Sequence, residues 1–188
     1  MIEKKELKLD LGCGISKRDG YLGVDSLSLS GVDITHNLDI FPYPFQDSEV
    51  DEIWLDNVLE HLEHPIKVME EIYRISKNKA KITVAVPYFR SFYATIDPTH
   101  KHFFGINWFN YFDPTHPFFQ KYCYTSAEFK VKKIEFNRES VNTRKGLRGL
   151  IRKLLVWYAN KSPDRYESRL SHLLPLSSLT FYLEVIKK

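Results

Sequence analysis

The sequence predicts an α/β domain built on a mostly parallel sheet with helices on both faces. Three observations predict it. A short apolar strand runs straight into the turn Gly12-Cys13-Gly14. Further apolar runs at 21–25, 52–56 and 80–87 have the length and flanks of buried strands, and a helical period fills the gap between the last two. Strand, turn, strand and then strand–helix–strand is the order of a parallel sheet covered on its faces.

The elements follow in chain order. Residues 7–11 (LKLDL) form the first strand, residues 21–25 (YLGVD) the second, and residues 52–56 (EIWLD) the next. A helix is expected over about 64–77. Ile66, Met69, Ile72, Tyr73 and either Ile75 or Ser76 recur on its inner face, while Lys67, Glu70, Glu71 and Arg74 point outward. Pro65 suits its first turn, and Asn78 can adopt the left-handed conformation that ends it. Residues 80–87 make a strand closed by Pro87.

Residues 88–124 are dense in aromatic side chains and histidine without a clean period, which predicts ordered loops and short helices. Residues 129–137 alternate like a strand. Residues 146–160 place Leu147, Leu150, Ile151, Leu154, Leu155 and Tyr158 on one helical stripe. A short helix over 163–172 and a last strand over 179–187 complete the chain.

The 188 residues suit one domain, and 43% hydrophobic with 27% charged residues is an ordinary globular balance. No apolar run is long enough to span a bilayer, and the charged N-terminus has no signal-peptide core. Cys13 and Cys123 stand alone without metal-type spacing, so no disulfide framework is expected and the cytoplasm is the expected compartment. A net charge of +3 does not by itself indicate nucleic acid.

Function enters with the glycine turn. Gly12 and Gly14, straight after a strand, let the backbone bend sharply and approach a ligand without an intervening side chain. Such a turn also ends many purely structural strands. Asp25 adds to it, because an acid at the end of the second strand can accept hydrogen bonds from both hydroxyls of a ribose. A dinucleotide site wants G-x-G-x-x-G with its acid about 20 residues on. Position 17 is lysine and the acid comes early, which disfavours a dehydrogenase.

The segments LDLGCG, GVD, HNLDIFPYPF, DEIWLDNVLEHL and KVMEEIYRISKNKAKITVAVP together resemble the class I S-adenosylmethionine-dependent methyltransferases, especially compact members. The resemblance is good over about residues 5–105. It implies a Rossmann-like methyltransferase fold with a seven-stranded sheet and a shortened first helix. It implies a single domain over 1–188, with 88–128 and 138–178 as loop and helix insertions covering the active site. S-adenosylmethionine is the implied cofactor. Asp10, Gly12, Cys13 and Gly14 would line its methionine moiety, Asp25 its ribose, and Leu38, Asp39 and Ile40 its adenine. Asn57 would lie near the methionine end, with Val58 and His61 flanking the site. Asp39 also reads as a simple turn acid before Phe41-Pro42.

Two departures stand out. Ser16 stands where many members carry a third glycine, and Asn78-Lys79-Ala80 replaces the usual proline-glycine-glycine. Only residues 12–20 link the first two strands, so the first helix is expected to shrink to one or two turns.

Methyl transfer from a sulfonium depends chiefly on holding the acceptor against the methyl, since the cofactor supplies the leaving group. The acceptor-side candidate is Asp97-Pro98-Thr99-His100-Lys101-His102. His100 or His102 could take a proton from a hydroxyl acceptor, with Asp97 orienting one of them; equally, both histidines could simply pin the loop. Asp97, His100 and His102 are also metal-type side chains, but they form no closed tetrahedral set, and His61 with His64 lacks H-E-x-x-H, so no metal is expected. The aromatic residues between Tyr88 and Phe112 read as core or as the wall of an acceptor pocket.

The expected acceptor is a small hydroxyl compound or glycan. Nucleic acid is not favoured. The basic helix 144–160, with Arg144, Lys145, Arg148, Arg152 and Lys153, reads as a solvated covering helix or as a weak contact for a membrane surface. The rival readings are a non-catalytic S-adenosylmethionine-binding partner or sensor, and a methyltransferase acting on RNA or protein.

Overall fold

The computed structural model of the chain describes residues 6–137 and 146–187. Seven strands form one sheet: β1 (Lys8–Leu11), β2 (Leu22–Asp25), β3 (Ile34–Thr35), β4 (Val50–Asp56), β5 (Ser76–Pro87), β6 (Phe129–Phe136) and β7 (Ser178–Val185), in the order β3-β2-β1-β4-β5-β7-β6. The first five are mutually parallel. The last two break the pattern, with β7 antiparallel to both β5 and β6. The chain leaves β1 in one direction and returns on its other side as β4. The C-terminal ends of β1, β2, β4 and β5 therefore gather on one edge at the point where strand order reverses, the place where open α/β sheets take ligands.

The central strands are buried on both faces: Leu9, Leu11, Ile53, Leu55, Ile82 and Val84 are fully enclosed. Helix α1 (Pro65–Ile75) buries Val68, Met69, Ile72 and Ile75. Ile66, expected on the inner face, is exposed, and Val68, which the pattern did not single out, is buried in its place. Glu71 also departs from expectation, because it is buried rather than outward. The loop around Tyr43 folds over this helix face, and its amides need an acceptor: Glu71 Oε1 accepts from the Tyr43 N–H at 2.6 Å and from Arg74 Nη2 at 2.6 Å. Arg74 Nη2 in turn donates to the carbonyls of Tyr43 and Phe45. No left-handed residue closes α1. Its C-cap, Ser76, is already extended and opens β5, and the left-handed residue nearby is Lys79. Asn78 instead accepts from the Lys187 N–H through its side chain.

Residues 12–20 contain no helix. Gly12, Gly14 and Gly20 all have positive φ, so no helical run survives in the crossover, and the expected one- or two-turn helix is replaced by consecutive turns.

The second half carries α2 (Tyr93–Ile96), a 3₁₀ turn (Trp108–Tyr111), α3 (Pro117–Tyr122), α4 (Gly146–Lys161) and α5 (Pro163–Arg169). Its aromatic residues divide. Tyr88, Phe104, Phe109 and Phe112 are core, whereas Phe92, Tyr93 and Phe103 are exposed. Helix α4 turns the first part of its expected stripe outward: Leu147, Leu150, Ile151 and Leu154 are exposed, whereas Leu155 and Tyr158 pack half-buried on the core beside the buried Gly149, Val156 and Ala159. Asn160 explains the rotation. Its side chain accepts from the Phe136 N–H at 2.7 Å and donates to the Phe136 carbonyl at 3.3 Å, tying that face of α4 to edge strand β6. Arg144 and Lys145 lie outside the described residues. No helix among the described residues is long and apolar enough to cross a membrane.

Candidate active site

The site begins where β1 ends. Gly12, at φ +71°, donates to the Val24 carbonyl at 2.7 Å, and a Cβ there would sit 2.5 Å from Val58 Cγ2. Glycine is therefore required for packing against the segment after β4. Gly14, at φ +54°, has nothing within 4 Å of the place a Cβ would occupy, so this part of the turn is bare backbone facing open space.

Two carboxylates shape the turn. Asp25 Oδ2 accepts from the Gly14 N–H at 2.9 Å, and Oδ1 accepts from the Leu27 N–H at 3.0 Å. Oδ1 also accepts from the Ser26 hydroxyl at 3.5 Å, and Oδ2 keeps a lone pair for a further donor. Asp10 is buried and accepts from the Arg18 N–H at 2.8 Å; burial raises its pKa, partly offset by that hydrogen bond and by the Arg18 charge. The Arg18 guanidinium lies 3.6 Å from the ring centroid of Trp54, a stacked position that holds it over the strand ends. Cys13 is buried, and a Cβ on Gly23 would meet its sulfur at 2.8 Å.

Three cavities line this edge. The first, about 260 Å³, is walled by Gly12, Asp25, Asn37, Leu38, Val58 and Leu62, with Asn57 and His61 at its end. The second, about 410 Å³, shares Gly12 and adds Asp10, Cys13, Arg18, Trp54 and Asp56. The third, about 550 Å³, shares Asn57 and His61 with the first and is closed by Tyr93, Ile96, Asp97, His100 and Ser178. Asn57 sits between the first and third at φ +53°, an uncommon conformation for a non-glycine residue and one that asparagine tolerates best.

An S-adenosyl group fits this arrangement. Leu38, Val58 and Leu62 provide an apolar slot with the Asn37 amide in its wall, and Asp25 offers carboxylate lone pairs beside it. In the second cavity, Arg18 can take a carboxylate while Asp10 and Asp56 can take an ammonium group. Asp39 and Ile40 are not on these walls. Asp39 Oδ1 accepts from the Glu63 N–H at 2.9 Å, and Ile40 is exposed.

On the acceptor side, His61 and His100 stack edge-to-face with ring centroids 4.7 Å apart. His61 Nδ1 meets Thr99 Oγ1 at 2.8 Å, and Thr99 Oγ1 donates to Asp97 Oδ1 at 2.7 Å. Asp97 thus orients His61 through Thr99. His100 Nδ1 faces the Ala94 carbonyl at 3.1 Å. His102 is not on the walls of these cavities, and its N–H bonds to the Glu60 carbonyl. Burial and the neighbouring His100 push His61 below the ordinary imidazole range. Glu60, fully enclosed, is pushed up to about 7, chiefly by burial.

Sequence reasoning missed Arg18 with Trp54, and Glu60, as parts of this edge; Thr99 lay within the expected acceptor-side segment without a role of its own. Arg18 and Trp54 meet across two crossovers and leave no spacing signal. Glu60 stands next to His61 in the sequence and is distinguished only by burial.

Residues 9–84 match the sequence family described as methyltransferase domain. No curated protein matches the chain. Among solved structures, the chain is similar to a SAM-dependent methyltransferase from Archaeoglobus fulgidus, at 20% identity and a TM-score of 0.55 over 96% of this chain and 86% of that one. It is also similar to the structure of the Haloferax volcanii Trm112 methyltransferase activator in complex with a methyltransferase, at 16% identity and a TM-score of 0.60 over 97% and 84%. The [4+2]-cyclase SpnF is a third, at 14% identity and 0.56 over 100% and 77%. These likenesses speak for the fold, and the cyclase illustrates that one fold serves different chemistries.

Proposed function

We propose that the chain, whose residues 9–84 match the methyltransferase-domain family, is an S-adenosylmethionine-dependent methyltransferase whose acceptor is a small hydroxyl compound, a sugar or glycan unit, bound in the third cavity. The observation carrying this reading is the pair Asn57 and His61, which belongs at once to the glycine-turn cavity and to the histidine-lined one. Whatever occupies the first cavity is thereby brought against whatever occupies the third.

When bound, the cofactor supplies an electrophilic methyl group and its own leaving group. The residues of the chain do the rest. Gly12 and Gly14 admit the cofactor, Asp25 takes the ribose hydroxyls, and Arg18 the terminal carboxylate. Tyr93, Ile96 and Ser178 confine the acceptor, which is where roughly 7–11 kcal/mol of barrier reduction can arise. An imidazole of His61 or His100 receives the acceptor hydroxyl proton, and Asp97 holds His61 in place through Thr99. His102 remains a candidate only for holding the loop. We read 1–188 as one domain in which 88–128 and 138–178 cover the site; Tyr93, Asp97 and His100 come from the first insertion and Ser178 ends the second.

A second reading is favoured by α4. Its outward apolar residues stand beside Arg148 and Lys153, which suits weak contact with an anionic membrane surface or docking of an RNA or protein acceptor. A reducing, cytoplasmic setting suits the two free cysteines.

The test is calorimetric titration with S-adenosylhomocysteine, followed by transfer of labelled methyl to pooled sugars and glycans. Binding with label on a hydroxyl product supports the reading. Binding without transfer to any acceptor, RNA and protein included, leaves a cofactor-binding sensor in its place.

A further inference from the structure

We propose that Glu60, His61 and His100 bind a divalent transition-metal ion in the wall of the third cavity. One nitrogen from each imidazole and one carboxylate oxygen lie within 4.8 Å of one another, and His100 Nε2 is 4.0 Å from Glu60 Oε1. The set differs from the Asp97, His100 and His102 grouping considered from sequence, where no metal was expected.

The hydrogen bonds decide which atoms face the cluster. The Ala94 carbonyl only accepts, so His100 Nδ1 carries the proton and donates to it, leaving Nε2 with a lone pair. Thr99 has one hydroxyl proton, and it goes to Asp97 Oδ1, which also accepts from the Thr99 N–H. The Thr99 oxygen can then only accept from His61, so Nδ1 of His61 is protonated too, and its Nε2 is bare. Glu60 completes the set. Its side chain is 1% exposed, and neither carboxylate oxygen has a hydrogen-bond partner among the described residues.

Three acceptors therefore converge with no side-chain donor among the described residues to meet them. Buried polar groups are normally paired, and a bare carboxylate in this position is costly. A divalent cation answers all three at once. The surroundings are those of a metal site: each imidazole gives its other nitrogen to a carbonyl or to a carboxylate-anchored hydroxyl, which fixes ring and tautomer. Two imidazoles and one carboxylate suit zinc, iron, cobalt or nickel and leave further coordination positions open. Metal–ligand distances of about 2.0–2.2 Å require the cluster to contract by roughly half to one ångström, within reach of rotation in the Glu60 side chain.

His61 and His100 both line the third cavity, so the open positions can face an acceptor. There the ion would lower the pKa of a coordinated hydroxyl, and the two imidazoles would serve as ligands rather than as the base. That role rests on the methyl-transfer reading; ion binding does not.

The test uses the full chain after treatment with EDTA. Titration with ZnCl₂ is expected to show one site, weakened at least about tenfold in each of Glu60→Gln, His61→Ala and His100→Ala and unchanged in the exposed-histidine control His172→Ala. Wild type titrated with CoCl₂ is expected to develop the visible bands of a low-symmetry nitrogen–oxygen site, a readout independent of how the variants fold. Absence of stoichiometric binding of either ion, or zinc binding that none of the three substitutions weakens, overturns the proposal. Zinc binding by protein that fails to bind S-adenosylhomocysteine upholds the ion site and removes only the methyl-transfer reading.

Discussion

The Gly14 N–H donates to Asp25 Oδ2 at 2.9 Å, so the acid assigned to the ribose also pins the glycine turn beside it. Asp25→Ala removes the ligand contact and the pin together. Calorimetry is expected to show S-adenosylhomocysteine binding about ten- to hundredfold weaker, the loss of a charged hydrogen-bonding group. Asp25→Asn keeps one acceptor oxygen and should fall between. An unchanged affinity in Asp25→Ala would take Asp25 out of the site.

The two glycines of the turn should fail in different ways. Gly12→Ala drives a methyl into Val58 and holds alanine at φ +71°, so it is expected to lose on the order of 2–4 kcal/mol of stability. Gly14→Ala meets no atom and pays only for its backbone conformation, about 1–2 kcal/mol, while it disturbs the N–H that Asp25 holds. Thermal melts should rank Gly12→Ala as the less stable, and cofactor affinity should fall in Gly14→Ala while its fold persists.

Glu71 predicts a dependence on acid. Burial alone would raise its pKa, but hydrogen bonds from Arg74 and from the Tyr43 N–H outweigh it and hold the carboxyl below its ordinary value. A depressed folded pKa contributes stability that is complete above about pH 4.5 and is lost as pH falls through the folded value. Glu71→Gln should cost on the order of 2 kcal/mol at pH 7, less than a fully buried pair because Arg74 is partly exposed and keeps Asp47. Its melting temperature should also respond less to acid than that of wild type. Parallel pH profiles would deny Glu71 this role.

At saturating cofactor, His100→Ala is expected to lose at least about tenfold in turnover, whether the imidazole takes a proton or holds an ion. His102→Ala should lose less, since its ring is off the cavity walls. Equal losses would place the two side chains on the same footing.

The sheet and its ligand edge were legible because strand runs and the glycine turn are local signals: β1, β2 and β4 lie within two residues of their expected starts. Strand β3 was not, since two residues give no alternation. Glu71 was misplaced because its inward turn is set by a loop some 28 positions earlier, which helical period cannot see. The same applies to α4, whose orientation is fixed by the bonds of its Asn160 to Phe136 of β6 rather than by its first leucines. At the site, Asp25 and His100 could be picked out as chemistry beside a motif. Glu60 and Arg18 acquire meaning only from burial and from partners distant in the chain.

The position of Cys13 makes the glycine turn reportable. Its thiol is wedged between Gly23 and the crossover, and its pKa is raised, chiefly by burial, whereas Cys123 is exposed. In a Cys123→Ser background, alkylation by iodoacetamide can proceed only as fast as residues 12–20 open. Cofactor in the adjoining cavities should slow that chemical clock, turning a side chain on the wall of the second cavity into a timer for the loop that admits the cofactor.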